Sequence, residues 1–258
     1  MAAHNPIARN FSVDSENKIH SDAIAKRLGF TGALVPGVTV FGHLTWPLTE
    51  KIGERWLAGS YVTTRFLKPA YDGERLTITH QERDRTIVTE CHNSSGVLLA
   101  NLECDLLTDL PAVDSRANSK RSAPMERAEI AWNTVLVGEP LPTYLWEPDV
   151  VHNCEYAARL DDDTAIFQQG VLHPHAILSQ ANQVLVRCYI MPAWIHTGSE
   201  IRFRKALHVG DAIEVRSIPI ERWERKGHQF IKLYIAYCVG GEVTTEIFHT
   251  AIFRVAEK

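Results

Sequence analysis

Cysteine is scarce and scattered in this chain. Cys91, Cys104, Cys154, Cys188 and Cys238 are odd in number, lie far apart and form no C-x-x-C pair. Neither a disulfide framework nor a cysteine zinc site is signalled, and the thiols read as reduced and mostly buried. Long apolar runs are missing too, since none approaches the roughly 20 residues of a membrane span. The charge balance is −4, which argues against the non-specific nucleic-acid binding that a basic surface supports. No glycine-rich phosphate loop, G-x-G-x-x-G fingerprint or G-x-S-x-G elbow occurs. The opening MAAHNPIARNF lacks the charged-then-apolar pattern of a secretory signal, so the chain is expected to be cytoplasmic. The histidines His4, His43, His80, His92, His152, His196, His208, His228 and His249 show no metal-ligand spacing, and no metal or cofactor is implied. His43, inside an apolar helix, reads as a satisfied core residue.

What is present is an ordinary globular composition, 45% hydrophobic and 22% charged over 258 residues, enough for a substantial core. The chain also repeats itself. RFLKPAYDGERLTI from Arg65 resembles RFRKALHVGDAIEV from Arg202, with Arg, Phe, Lys and Gly recurring at the same spacing. At that offset ALVPGVTVF from Ala33 falls on GVLHPHAIL from Gly170. Each begins an apolar stretch with a proline near its start, as the first turn of a helix prefers. Two copies of one supersecondary unit are implied.

Each copy starts with a short helix, Asp22–Leu28 and Cys154–Leu160, with Asp22 as an N-cap. A longer helix follows, from Pro36 to Trp46 with an extension toward Leu57, and from Pro174 to Ile190. Both are apolar on nearly every face and should be buried. Four strands complete each copy. The first set is Tyr61–Leu67, Arg75–Arg83, Thr86–Asn93 and Val97–Leu107, with a hairpin turn at Asn93–Gly96. The second is Ser199–Arg204, Ala212–Glu221, Gln229–Val239 and Glu242–Val255. One helix followed by consecutive antiparallel strands predicts a sheet wrapped around that helix. Thr108–Thr143 reads as a surface connection with some helix near Met125–Trp132.

This order of elements, with NKIHSD and a later PG ahead of the first long helix, resembles the MaoC-like hydratases and dehydratases. The resemblance implies an α+β fold, the double hotdog, with a N-terminal hotdog over 1–107, a connecting segment over 108–143 and a C-terminal hotdog over 144–258. The family's hydratases carry Asp-x-Asn-Pro-aliphatic-His. The matching positions here are Ser15, Glu16, Asn17, Lys18, Ile19 and His20. Asn17, Ile19 and His20 fit, Lys18 stands for the proline and Ser15 for the aspartate. In the second copy DDDTAIF puts Asp162 at the aspartate and Phe167 at the histidine, so neither copy keeps the full dyad.

The resemblance implies a lyase that hydrates or dehydrates an enoyl or 3-hydroxyacyl thioester, with a coenzyme A ester as its small-molecule partner. It makes His20 the acid/base, Asn17 the residue that orients water or substrate, and Ser15, Pro36, Gly37 and Val38 substrate contacts. The chemistry requires a base for water, a proton for the α-carbon and donors for the thioester oxygen. Histidine suits the first two, and unpaired amides at a helix start suit the third. Asp14 replaces the missing aspartate if the loop bends by one residue; Asp22 is a second candidate. His20 also reads as a loop histidine bonded to backbone. His173 and His175, at the equivalent helix start, are further substrate-binding candidates, and the two helix entries need not share a site; the plain reading is a polar lining of a half-buried helix entry. Asp161–Asp163 reads as a solvated turn. Lys26, Arg27, Lys68 and Lys205 are candidates for coenzyme A phosphates. A thioesterase, a lyase on a non-CoA molecule and a non-catalytic acyl-binding or partner subunit are the alternatives, because one fold hosts several chemistries. A homodimer through sheet edges or outer faces is compatible with the pattern.

Overall fold

The computed structural model describes residues 4–256. Its first half holds a short helix α1 (Asp22–Arg27), a long helix α2 (Gly37–Ile52) and strands β1 (Ser60–Phe66), β2 (Leu76–Arg83), β3 (Thr86–Asn93) and β4 (Leu98–Leu106). The connection carries β5 (Ala128–Glu129) and β6 (Leu141–Trp146). The second half holds α3 (Val150–Ala158), α4 (Ala165–Gln168), the long α5 (Pro174–Cys188), β7 (Tyr189–Ile190) and strands β8 (Ile195–Phe203), β9 (Ile213–Arg225), β10 (His228–Val239) and β11 (Glu242–Arg254). The strand order is β2-β3-β4-β1-β8-β11-β10-β9-β6. Each half thus has the same internal order, and the two join edge to edge through β1 and β8 into one sheet.

That junction is antiparallel, from Ser60 opposite Phe203 to Arg65 opposite Gly198. It depends on a bare backbone, because a Cβ on Gly198 would lie 2.7 Å from the Thr64 carbonyl oxygen. The sheet wraps both long helices. Val40, Phe41, Leu44 and Leu48 of α2 and Ile177, Leu178, Ala181 and Leu185 of α5 are buried in the same core. The helices approach closely at Gly42, where a Cβ would meet Leu160 Cδ1 at 2.2 Å and the His175 Cβ at 3.2 Å. Pro47 lies within α2 without ending it. Pro47 is buried, and the helix continues through it to Ile52, followed by a 3-10 turn over Gly53–Leu57.

Several expectations are corrected. No helix forms near Met125–Trp132; Ala128–Glu129 instead pairs in parallel with Tyr189–Ile190. The second short helix starts earlier, at Val150, because the Asp149 carboxylate accepts from the His152 N–H at the N-cap. Ser21, not Asp22, occupies the N-cap of α1. The connection covers the outer face of the second half: Ala117 packs with Ile218, Tyr234, Ala236, Cys238 and Phe248. The fully buried Glu246 ties it down, accepting from Asp114 N–H at 3.0 Å and pairing with Arg202 and Arg204. No helix among the described residues is long and apolar enough to cross a membrane.

Candidate functional site

Two adjoining cavities lie at the entrance of α2. The first, about 230 Å³, is walled mainly by apolar side chains, among them Ile19, Phe30, Leu34, Val40 and Phe66. The second, about 320 Å³, is more polar, with Ser15, Thr39, Arg159, His175, Ser179 and Gln183 in its wall. Asn17, His20, Pro36, Asn182 and Trp194 line both and form their common wall. His20 therefore sits where the cavities meet.

The local sequence explains how His20 is held. Asn17 caps the 3-10 turn Lys18–His20. Its amide is fixed by the other half of the chain: Oδ1 accepts from the Trp194 N–H at 3.0 Å and Nδ2 donates to the Trp194 carbonyl at 3.0 Å. With Oδ1 and Nδ2 so assigned, the second Nδ2 hydrogen is left for His20 Nε2, 3.3 Å away. His20 Nδ1 is 2.7 Å from the Leu34 carbonyl, which can only accept, so Nδ1 carries the proton and Nε2 the lone pair. Burial pushes the His20 pKa below its ordinary value, although the Leu34 bond opposes this, and the ring is neutral at pH 7.

The donors are at the start of α2. Thr39 and Val40 N–H both bond to the Pro36 carbonyl. The amides of Gly37 and Val38 come before any intrahelical acceptor, as the first turn of a helix requires. Gly37 lines the apolar cavity and Val38 the polar one. At the equivalent entrance of α5 the corresponding amide is already bonded. His173 is fully buried; its Nδ1 accepts the His175 N–H at 3.0 Å and its Nε2 lies 3.1 Å from the Asp162 carboxylate. The amide that is free in the first copy is capped in the second.

The structure thus gathers Ser15, Asn17, His20, Pro36, Gly37, Val38 and His175 around the two cavities. Asp14 and His173 do not join them. Asp14 is exposed and lines neither cavity, because it belongs to the separate turn over Phe11–Asp14, ahead of the 3-10 turn that holds His20. His173, expected to touch substrate, is a helix cap in the core. Asp22 also stays away, accepting from Ala33 N–H and pairing with Lys26. No carboxylate is hydrogen-bonded to His20 among the described residues. Glu16 lines the polar cavity, but it is exposed and bound to Arg127, which lowers its pKa. His175 and His20 border one cavity rather than separate ones. Of the expected phosphate contacts, Lys68 lines the apolar cavity, whereas Lys26 and Lys205 are paired with Asp22 and Glu242. Asp162, expected in a solvated turn, is buried; burial resists its charge, but hydrogen bonds from His173 and Thr164 prevail and its pKa is lowered. His43 is buried as expected, yet neither ring nitrogen has a partner, and burial pushes its pKa down to about 3.

Asn182, Trp194 and His196 went unrecognised in the sequence. Asn182 lies in the middle of α5, on the same face as His175 and Ser179, and the three line the polar cavity together; that polar stripe at helical spacing is the signal in the sequence. Its Oδ1 is buried without a partner. Trp194 and His196 belong to a loop and strand whose place beside Asn17 depends on the pairing of the halves. No group of His, Cys, Asp and Glu among the described residues could hold a metal ion.

No family model and no curated protein matches the sequence. Solved structures do match in shape. A MaoC domain protein of Chloroflexus aurantiacus aligns with a TM-score of 0.66 at 12% identity, over 98% of this chain and 96% of that one. A conserved hypothetical protein of Mycobacterium tuberculosis, described as having a double hotdog fold, aligns with 0.65 at 13% identity, over 98% and 96%. A Lactobacillus plantarum protein assigned as an oleoyl thioesterase aligns with 0.54 at 9% identity, over 99% and 95%. The chain has the α+β double-hotdog fold, shared by MaoC-type proteins and by a thioesterase assignment alike.

Proposed function

We propose that this protein is an enzyme acting on an acyl thioester, a coenzyme A ester by preference, and that its reaction is reversible hydration of the enoyl group. One observation carries the reading: a neutral imidazole of defined tautomer stands between two cavities whose walls also hold Gly37 and Val38 of the first turn of α2. In the forward direction His20 Nε2 takes a proton from water as the oxygen bonds to the β-carbon. The carbon–carbon π electrons move toward the thioester oxygen, where the Gly37 and Val38 N–H groups stabilise the developing charge. The imidazolium then returns its proton to the α-carbon. Asn17 sets the ring's position and yields its long contact with Nε2 to the incoming water. Asn182, at the same wall, supplies an amide to orient that water.

A second reading, thioester hydrolysis, is favoured because no carboxylate among the described residues is hydrogen-bonded to His20. A thiolate leaves more readily than hydroxide, so hydrolysis makes smaller demands on a lone histidine. The two are separated by incubating the protein with enoyl and saturated acyl-CoA esters. Hydration consumes the enoyl absorbance without free thiol; hydrolysis releases thiol from both. In either case His20→Ala should lose at least about a hundredfold in kcat, the ordinary share of general acid–base catalysis, with an unchanged far-UV circular dichroism spectrum. A fully active His20→Ala protein refutes both readings.

A further inference from the structure

The polar cavity has a cation in its wall that the proposed chemistry does not use. The imidazoles of His20 and His175 line it, and burial pushes both pKa values down, so both are neutral at pH 7. No lysine and no second arginine joins them. The charge belongs to Arg159, the half-buried residue that ends α3. Its guanidinium carbon lies 5.6 Å from the Phe11 ring centroid and 5.2 Å from that of Tyr156. Both rings line the same cavity, so the cation is held at the wall by their faces. Its ion-pair partner is the exposed Glu155, 3.9 Å away, which is beyond hydrogen-bond reach. The guanidinium therefore keeps its N–H donors for a ligand. Its charge is also felt inside the cavity, where it adds to the effect of burial on His175.

Charge decides which end of a thioester lies on this side. Coenzyme A ends in several phosphate charges. Lys68 lines the apolar cavity, is exposed and has no acidic partner. The polar cavity has Glu16 in its wall and Glu155 beside its cation. A polyanion is drawn past the first and resisted by the second. With the coenzyme arm in the apolar cavity and the thioester at His20, the acyl chain enters the polar cavity. A hydrocarbon chain there displaces water from Thr39, Ser179 and Arg159 and returns no hydrogen bond. A single carboxylate on the chain gives the guanidinium a charge-assisted pair instead.

We propose that the polar cavity takes an acyl group ending in a second carboxylate, the monothioester of a short dicarboxylic acid, and that Arg159 binds that carboxylate. This rests on the acyl-thioester reading above and narrows it to anionic chains.

The test uses unreactive thioether analogues of coenzyme A. At each length from propyl to hexyl the chain ends in a methyl, a carboxamide or a carboxylate. At the best length the carboxylate should bind the full-length protein about tenfold more tightly than the other two, the effect of one charge-assisted hydrogen bond. In Arg159→Gln that preference should fall to near unity, while the methyl chains and coenzyme A itself bind as before. Should that variant not fold, Glu155→Gln, a change at an exposed side chain, replaces it. Removing the competing carboxylate should then widen the preference by about twofold. No carboxylate preference at any length, a preference that survives Arg159→Gln, or one that Glu155→Gln leaves unchanged overturns the proposal. So does an equal loss of every analogue and of coenzyme A in Arg159→Gln, which would put a coenzyme phosphate at Arg159. If the methyl chains bind, the thioester reading survives these results; if no analogue binds, both fall.

Discussion

Replacing Asn17 with alanine should destabilise the protein by about 2–4 kcal/mol, mostly through a residue 177 positions away. Asn17 is only 7% exposed and Trp194 only 4%. The asparagine amide satisfies both the N–H and the carbonyl of Trp194, each at 3.0 Å. Alanine removes both bonds and leaves two buried backbone groups unpaired. Each such group costs about 1–3 kcal/mol, so the raw sum is about 2–6. Both cavities border Asn17, and water entering from them can recover part of the loss. The contact with Ile19 N–H, at 3.4 Å, is too long to add much. His20→Ala is the internal standard: it unpairs one carbonyl, that of Leu34, for about 1–2 kcal/mol. Urea unfolding followed by tryptophan fluorescence reads both as midpoint shifts at constant slope. An Asn17→Ala loss under about 1 kcal/mol, or one below that of His20→Ala, would refute the view that Asn17 fastens the two halves at the site.

Two further perturbations test the packing and the electrostatics. Gly42→Ala gains helix propensity but drives a methyl to within 2.2 Å of Leu160 and 3.2 Å of the His175 Cβ. A net loss of about 1–2 kcal/mol is expected by urea unfolding, and a more stable variant would mean that α2 and α5 are not in close contact. Below about pH 6.5 the unfolded chain protonates histidines that the folded chain keeps neutral. Stability should therefore fall with pH, by about 1.4 kcal/mol per pH unit for each such histidine. The fall continues until the folded pKa is reached, near 3 for His43 and His249. Unfolding midpoints that stay flat between neutral pH and about pH 5 would show that these rings are hydrated.

The elements of this fold were legible in the sequence because their signals are local. Strand alternation, the apolar stretches at Val38–Leu48 and Ile177–Leu185, and the turn at Asn93–Gly96 each depend on neighbours a few residues apart. The repeat made the two halves visible, and the Asn17-x-Ile19-His20 spacing located the ring that the structure puts between the cavities. The connection was read less well. Ala128–Glu129 looked helical by composition but pairs with Tyr189–Ile190, since a two-residue strand has no period of its own and takes its form from its partner.

By itself, then, the sequence determined two helices each wrapped by four strands, and a histidine ahead of the first helix. Tertiary structure decided which helix entrance keeps its first amides unbonded. His173 caps α5 directly, with the Asp162 carboxylate and the His175 amide on its two nitrogens, whereas His20 stands in a separate turn ahead of α2 and keeps a lone pair at a cavity wall. Asn182, Trp194 and His196 enter the same walls from the second half. The walls of the cavities and the Asn17–Trp194 bonds are set by groups brought together from the two halves, and no spacing along the chain encodes that distance.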